Sequence, residues 1–179
     1  MQKKIIVIIG GPGTGKSTII DALIQRGYCC YPEISREITL NAKKEGIDQL
    51  FLQDPLLFSK LLFEGRIKQY ENAVKEPHDL VFLDRGIPDV LAYLHYIGKE
   101  CPFDFIEACK TNVYSKVFVL PPWEEIYLSD AERYENFEQA NLIHNFIQAT
   151  YQNYGYELIE VPKNTVDNRI LFILDKISQ

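Results

Sequence analysis

Lys16 and Ser17 end the run Gly10-Gly11-Pro12-Gly13-Thr14-Gly15-Lys16-Ser17, which fits the phosphate-cradling pattern G-x-x-x-x-G-K-[ST]. The chemistry follows from the residue types. A triphosphate is a dense anion, and glycines let the backbone bend tightly around it, its N–H groups aimed at phosphate oxygens with no Cβ in the way. Gly11, Gly13, Thr14 and Gly15 supply that cradle, and Thr18 falls just inside the helix expected to follow. A helix N-terminus there adds unpaired N–H groups and the positive end of its dipole. Lys16 reaches the β- and γ-phosphates, and the Ser17 hydroxyl can hold Mg²⁺.

Four further places carry side chains suited to the same chemistry. Asp84 ends the apolar run Asp79-Leu80-Val81-Phe82-Leu83-Asp84, where a carboxylate can organise Mg²⁺ and its water shell. Arg85 comes next and can grip an anionic group with its planar fork; the two also read as an ordinary strand-end ion pair. Glu33 follows Tyr28-Cys29-Cys30-Tyr31-Pro32 and can take the proton of an acceptor hydroxyl during phosphoryl transfer, or simply favour a helix N-terminus. Arg36 lies one turn further on, where it can bind substrate. Arg133, in Asp130-Ala131-Glu132-Arg133-Tyr134-Glu135, is placed to swing over the triphosphate as part of a lid, or to pair with Asp130 on a solvated helix. Pro162-Lys163-Asn164, after the last apolar run, can line a nucleobase pocket through backbone groups, or form a turn into the last helix with Asn164 or Thr165 as its N-cap. His78, His95 and His144 lack the spacing of metal ligands or of a triad and read as structural or exposed, and Trp123 and the tyrosines read as packing.

The elements that must position these groups are legible in the apolar pattern. Lys3 to Ile9 is a β-branched run, a buried strand directly before the glycine loop. Ile19, Ile20, Leu23 and Ile24 make one face of a helix directly after it, with Gly27 at its C-cap. Further strands are expected at Tyr28–Tyr31, Asp79–Asp84, Lys116–Leu120 and Tyr156–Val161, giving a five-stranded sheet. Between them fall helices: one opening near Ile34 and fading near Gly46, one started by Asp54-Pro55 and ended before Pro77 with Leu57, Phe58, Leu61, Leu62 and Ile67 in its stripe, and one carrying Val90, Leu91, Leu94 and Ile97. A short helix is expected at Asp104–Lys110, and two more carry Ala140, Ile143, Ile147, Tyr151 and Tyr154, then Val166, Ile170, Ile173, Leu174 and Ile177. Strands alternating with helices predict an α/β fold with a largely parallel sheet, whose ligands collect at the carboxyl ends of the strands.

The 179 residues suit a single domain spanning 1–179, and 46% apolar residues suit a globular core. A net charge of −6 disfavours broad nucleic-acid binding, and no run approaches the length of a membrane span. The four cysteines show no metal-finger spacing, and reduced thiols in a cytoplasmic protein are the expectation.

The phosphate loop, Tyr31-Pro32-Glu33-Ile34-Ser35-Arg36-Glu37 and Leu83-Asp84-Arg85-Gly86-Ile87-Pro88-Asp89 together resemble the predicted AAA-type ATPases related to the kinase domain of NadR. Leu120-Pro121-Pro122-Trp123, Asp130-Ala131-Glu132-Arg133 and Tyr154 to Pro162 extend the match over nearly the whole chain. The resemblance implies a three-layer P-loop NTPase fold of nucleoside- and nucleotide-kinase type, the loop strand central and a helical lid above it. It implies ATP, or GTP, with Mg²⁺ as cofactors. It further implies that Glu33 serves the acceptor hydroxyl, that Asp84-Arg85 lie near substrate and that Arg133 approaches the triphosphate. A hydrolytic motor of the AAA class usually has a carboxylate where Arg85 stands, and no Asn-Lys-x-Asp guanine signature occurs. Two readings follow: a Mg-dependent phosphotransferase acting on a nucleoside-like or other hydroxyl acceptor, or a nucleotide-binding regulatory module or ATPase with no small-molecule acceptor. The acceptor, the oligomeric state and the choice between ATP and GTP stay open at this level.

Overall fold

The structure, a computed structural model, describes residues 3–127 and 136–179. Its centre is β1 (Lys4–Ile9). Successive side chains of a strand point to opposite faces, so Ile5, Val7 and Ile9 enter one apolar cluster and Ile6 and Ile8 another. Both faces of β1 are covered, which is why its sequence is an unbroken apolar run rather than an alternating one.

From β1 the chain passes through the glycine loop into α1 (Lys16–Gln25), then β2 (Cys29–Tyr31), α2 (Ser35–Lys44), α3 (Leu50–Gln53) and α4 (Pro55–Lys75). It continues with β3 (Leu80–Asp84), α5 (Pro88–Tyr96), α6 (Phe103–Thr111), β4 (Lys116–Val119), α7 (Phe137–Asn153), β5 (Leu158–Glu160) and α8 (Val166–Ser178). The five strands form one sheet in the order β2-β3-β1-β4-β5, and every neighbouring pair is parallel. β1 is therefore central, paired with β3 from Lys4↔Leu80 to Ile8↔Asp84 and with β4 from Ile6↔Lys116 to Ile9↔Val119. This register brings the ends of β1 and β3 side by side, and with them the glycine loop and Asp84.

Helices cover both faces. Ile19, Ile20 and Leu23 of α1 and Ile170, Ile173 and Ile177 of α8 bury one face, while Ile143, Ile147 and Tyr151 of α7, with Ala73 of α4 and Ala92 of α5, bury the other. Each such aliphatic side chain contributes roughly 1.5–3 kcal/mol by leaving water. A third cluster, with Leu50, Phe58, Leu62, Val90, Leu91 and Leu94, joins α3, α4 and α5 beside the sheet.

Local signals hold at the helix ends. Asp54 accepts a hydrogen bond from Leu57 N at 2.9 Å with Pro55 as the first helical residue, and Thr165 caps α8. Some expectations shift. Ile24 is 45% exposed, since it lies roughly 100° round α1 from buried Leu23. Leu57 is likewise exposed, so the α4 stripe runs through Phe58 and Leu62 instead. β2 begins at Cys29, and Tyr28 before it packs edge-on to Phe82 with ring centroids 5.6 Å apart. Among the described residues, no helix is long and apolar enough to cross a membrane.

Candidate active site

The parallel sheet places the ends of β1, β2 and β3 at one edge, and a cleft of about 520 Å³ opens there. It runs from Pro12, Gly13, Lys16 and Ser17 past Asp84 and Arg85 to Arg36, Thr39 and Lys43 on α2. Phe51, Phe58, Leu62 and Tyr93 form its apolar wall.

The loop takes its shape from glycine. Gly15 sits at φ 86 as the N-cap of α1, a conformation that a side chain rarely adopts. At Gly11 the constraint is proximity: a Cβ there would lie 2.6 Å from the Ala140 carbonyl oxygen, so only glycine lets α7 approach the loop. Gly11 N also donates to His144 Nδ1 at 3.2 Å. Nδ1 must therefore be unprotonated. Burial, with the charges of Lys16 and Arg85, pulls the His144 pKa down to about 4. From the other side of the loop, Arg169 of α8 donates to the Thr14 carbonyl at 3.1 Å, its guanidinium 5.8 Å from the centre of the Trp123 ring.

Lys16 is 7% exposed, and its ammonium donates to the carbonyls of Gly10 at 3.0 Å and Gly11 at 2.8 Å. Burial lowers its pKa to about 7, and Arg85 pushes the same way against Asp84 and Glu33. A phosphate drawn into the loop would restore the charged form. Asp84 is 1% exposed, and its Oδ1 has no hydrogen-bond partner among the described residues. Burial raises its pKa to about 6, Lys16 opposing. An orphaned carboxylate oxygen that shares a cleft with the Ser17 hydroxyl suits a hard, oxygen-seeking cation.

Beyond Asp84 lies a compact set of charges. Glu33 Oε2 is 2.6 Å from Arg85 Nε, and Glu33 Oε1 is 3.0 Å from Arg66 Nη2. Glu33 Oε1 also accepts from Ser35 N at 3.1 Å. Burial opposes the charge on Glu33, yet Arg66 and Arg85 together hold its carboxyl below the usual range. Arg85, at φ 70, reaches Asp89 at 2.9 Å, and Asp89 Oδ2 accepts from Gly86 N at 3.0 Å and Tyr151 Oη at 2.8 Å. The segments that follow β2 and β3 are thereby tied to α4, α5 and α7 around one cluster.

The structure brings Gly13, Lys16, Ser17, Glu33, Arg36, Asp84 and Arg85 to the cleft. Gly11, Thr14 and Gly15 belong to the loop without lining it, and Thr18 is exposed on α1. Asn164 is exposed: its Oδ1 accepts from Thr165 N at 2.8 Å and Asn168 Nδ2 at 2.9 Å, and it does not line the cleft. The N-cap of α8 is Thr165. Arg133 and the lid segment around it, 128–135, lie outside the described residues. Sequence reasoning missed Arg66, His144 and Arg169. For Arg66 a signal existed: it follows Phe58 and Leu62 at four-residue spacing, a charged side chain on the buried face of α4.

Comparison with known proteins agrees with this arrangement. A family model described as an AAA domain matches residues 5–169. A deoxyadenosine kinase from M. mycoides, solved with the products dCMP and a flexible dCDP bound, superposes with a TM-score of 0.70 at 18% identity, over 97% of this chain and 98% of that one. NadR in complex with NR gives 0.73 at 18% identity over 98% of this chain and 50% of that chain, so the present chain spans about half of NadR. Thymidylate kinase from Candida albicans gives 0.70 at 15% identity over 99% and 92%. At such identities the likeness is one of fold. No curated protein matches the sequence.

Proposed function

The chain belongs to the AAA domain family, and from that premise we propose that it is an ATP-dependent phosphotransferase acting on a small acceptor. One observation carries this reading: the cleft is a single space with two chemically different ends. At one end the glycine loop and Lys16 suit the phosphate tail of ATP. At the other, α2 and the aromatic wall leave room for a second molecule, which a nucleotide switch or a simple ATPase would not need.

The roles follow from the geometry. The ATP phosphates displace the Gly10 and Gly11 carbonyls from the Lys16 ammonium and take their place. Ser17 and Asp84 would hold Mg²⁺, which when bound screens the charge of the phosphates. Arg85 and Arg36 face the space where donor and acceptor meet, so positive charge is in place before the phosphoryl group moves. Arg133 is proposed as the cation that closes over the phosphates.

The test is acceptor-dependent ADP formation. Purified protein with Mg-ATP is screened against nucleosides, nucleotides and other phosphorylatable small molecules. A several-fold rise in ADP with one acceptor, accompanied by label transfer from γ-labelled ATP, is the expected result. A protein that binds ATP yet transfers label to none of them is not a small-molecule kinase.

A further inference from the structure

At the end of the sheet opposite the cleft, where β2 and β3 begin, three unlike donors meet. Cys29 Sγ, a carboxylate oxygen of Glu76 and a ring nitrogen of His78 all lie within 4.8 Å of one another. Glu76 Oε2 is 3.4 Å from His78 Nδ1. Among the described residues this is the one group of three or more such side chains close enough to share a metal ion. Cys29 and Glu76 are partly buried, and His78 is exposed. The positions of these residues along the chain carry no zinc signature. The pairing of β2 with β3, Cys29 opposite Val81, brings them together.

Local features shape the group. Side chains alternate along β2, so Cys29 and Tyr31 pack with the cluster under α4, α5 and α7, while Cys30 joins the cluster under α1 and α8. Pro77 ends α4 and holds Glu76 off the helix at φ −54, ψ 143. Tyr31 Oη donates to Glu76 Oε1 at 2.7 Å, which orients the carboxylate and leaves Oε2 towards His78. Partners of this kind, behind a ligand, fix the direction in which it coordinates. Lys3 is the cation nearby. Its ammonium donates to the carbonyls of Ala73 at 3.2 Å, Val74 at 2.9 Å and Glu76 at the end of α4. Burial and the facing Glu76 carboxylate raise the Cys29 pKa, and Lys3 opposes them. A cation held between the thiolate and the carboxylate would relieve their repulsion.

We propose that Cys29, Glu76 and His78 bind a Zn²⁺ ion, at a site separate from the nucleotide cleft. Thiolate, imidazole and a single carboxylate are donors that zinc takes, whereas Mg²⁺ and Ca²⁺ take oxygen alone. Zinc bonds of about 2.0–2.3 Å at tetrahedral angles put donors roughly 3.3–3.5 Å apart, so small side-chain movements close this group onto an ion. On binding, the Cys29 S–H bond breaks, a sulfur–zinc bond forms and the proton leaves to solvent. Water fills the fourth position on the exposed side, beside His78. The ion adds to the Tyr31–Glu76 hydrogen bond in clipping β2, an edge strand, to the connection between α4 and β3.

The experiment uses the full chain, kept reduced with a phosphine and stripped of metal by a chelator that is then removed. It is titrated with Co²⁺, a coloured stand-in for zinc, and then with Zn²⁺. One equivalent of Co²⁺ is expected to produce a thiolate-to-cobalt charge-transfer band, Zn²⁺ to abolish it, and Zn²⁺ alone to raise the melting temperature. Cys29→Ser should remove the band, and Cys30→Ser, on the other face of the sheet, should leave it intact. His78→Ala, at an exposed position that the fold does not need, should weaken Zn²⁺ binding at least ~10-fold, and Tyr31→Phe about 10-fold. Absence of the band in reduced protein, its survival in Cys29→Ser or its loss in Cys30→Ser overturns the proposal, as does unchanged zinc affinity in His78→Ala. Displacement of the ion by a non-hydrolysable ATP analogue would put it in the cleft and overturn the proposal while leaving the kinase reading in place.

Discussion

Glu33 Oε2 lies 2.6 Å from Nε of Arg85, joining the residue that follows β2 by two positions to the residue that follows β3. β2 and β3 are neighbours in the sheet but about fifty residues apart in the chain. The contact closes the base of the cleft and passes through Arg85 to Asp89 and Tyr151. The charge organisation of the site rests on this link, and its removal has measurable consequences.

Glu33→Ala leaves Arg66 and Arg85 in the interior without their shared counter-charge. Breaking one member out of a buried ion pair costs about 3–5 kcal/mol. Glu33 is itself partly exposed, so a loss of roughly 2–3 kcal/mol is expected. Urea unfolding gives the value, and a change below about 0.5 kcal/mol would mean that the pair is solvent-screened.

Lys16→Ala removes the ammonium that is to meet the β- and γ-phosphates. Nucleotide affinity should fall by at least about 100-fold, or ~2.7 kcal/mol. The fold should persist, because the lost bonds run to the Gly10 and Gly11 carbonyls and the Thr14 hydroxyl, all within Lys16's own loop. Titration with a fluorescent ATP analogue reads the first and far-ultraviolet circular dichroism the second; unaltered binding refutes the loop's role.

His144 links stability to pH. Its folded pKa lies at about 4, below the ordinary value of 6.5, so the unfolded chain takes up its proton first as pH falls. The neutral ring contributes stability in full above about pH 6.5, and that contribution fades as pH drops towards 4. By pH 5 the loss should be on the order of 2 kcal/mol. His144→Asn can keep an acceptor for Gly11 N and cannot titrate. Thermal melts from pH 7.5 to 4.5 should run close together above about pH 6.5 and separate towards the acidic end, where the parent loses stability that the variant keeps; parallel curves would show that His144 is not the coupled group.

Gly11→Ala drives a Cβ to 2.6 Å from the Ala140 carbonyl and 3.0 Å from His144 Cβ. The first obstacle is backbone and cannot rotate away, so loop and α7 must separate. A cost of about 1–3 kcal/mol is expected, with weaker nucleotide binding. Calorimetric melting and the same fluorescent titration test both, and a variant that matches the parent in each would show that α7 yields freely.

The local part of the design was readable residue by residue. Strand, glycine loop and helix are consecutive from Lys4 to Gln25, and their signals depend on neighbours a few positions away. The five strands and the Asp54-Pro55 and Thr165 helix starts were readable for the same reason. Ile24 and Leu57 went astray because a periodic stripe says which residues share a side, not how wide a neighbour covers that side.

The sequence by itself determined that a phosphate loop stands between a buried strand and a helix, and that Asp84 and Arg85 end another strand. These are properties of short stretches, set by backbone freedom and apolar periodicity. Only the tertiary structure decided that Arg66, 33 positions from Glu33, shares its carboxylate, that His144, 133 positions from Gly11, accepts its N–H, and that Arg169, 155 positions from Thr14, holds its carbonyl. The order β2-β3-β1-β4-β5 brings those elements together, and it arises from covering both faces of one sheet, an outcome of the whole chain's packing that no local pattern carries.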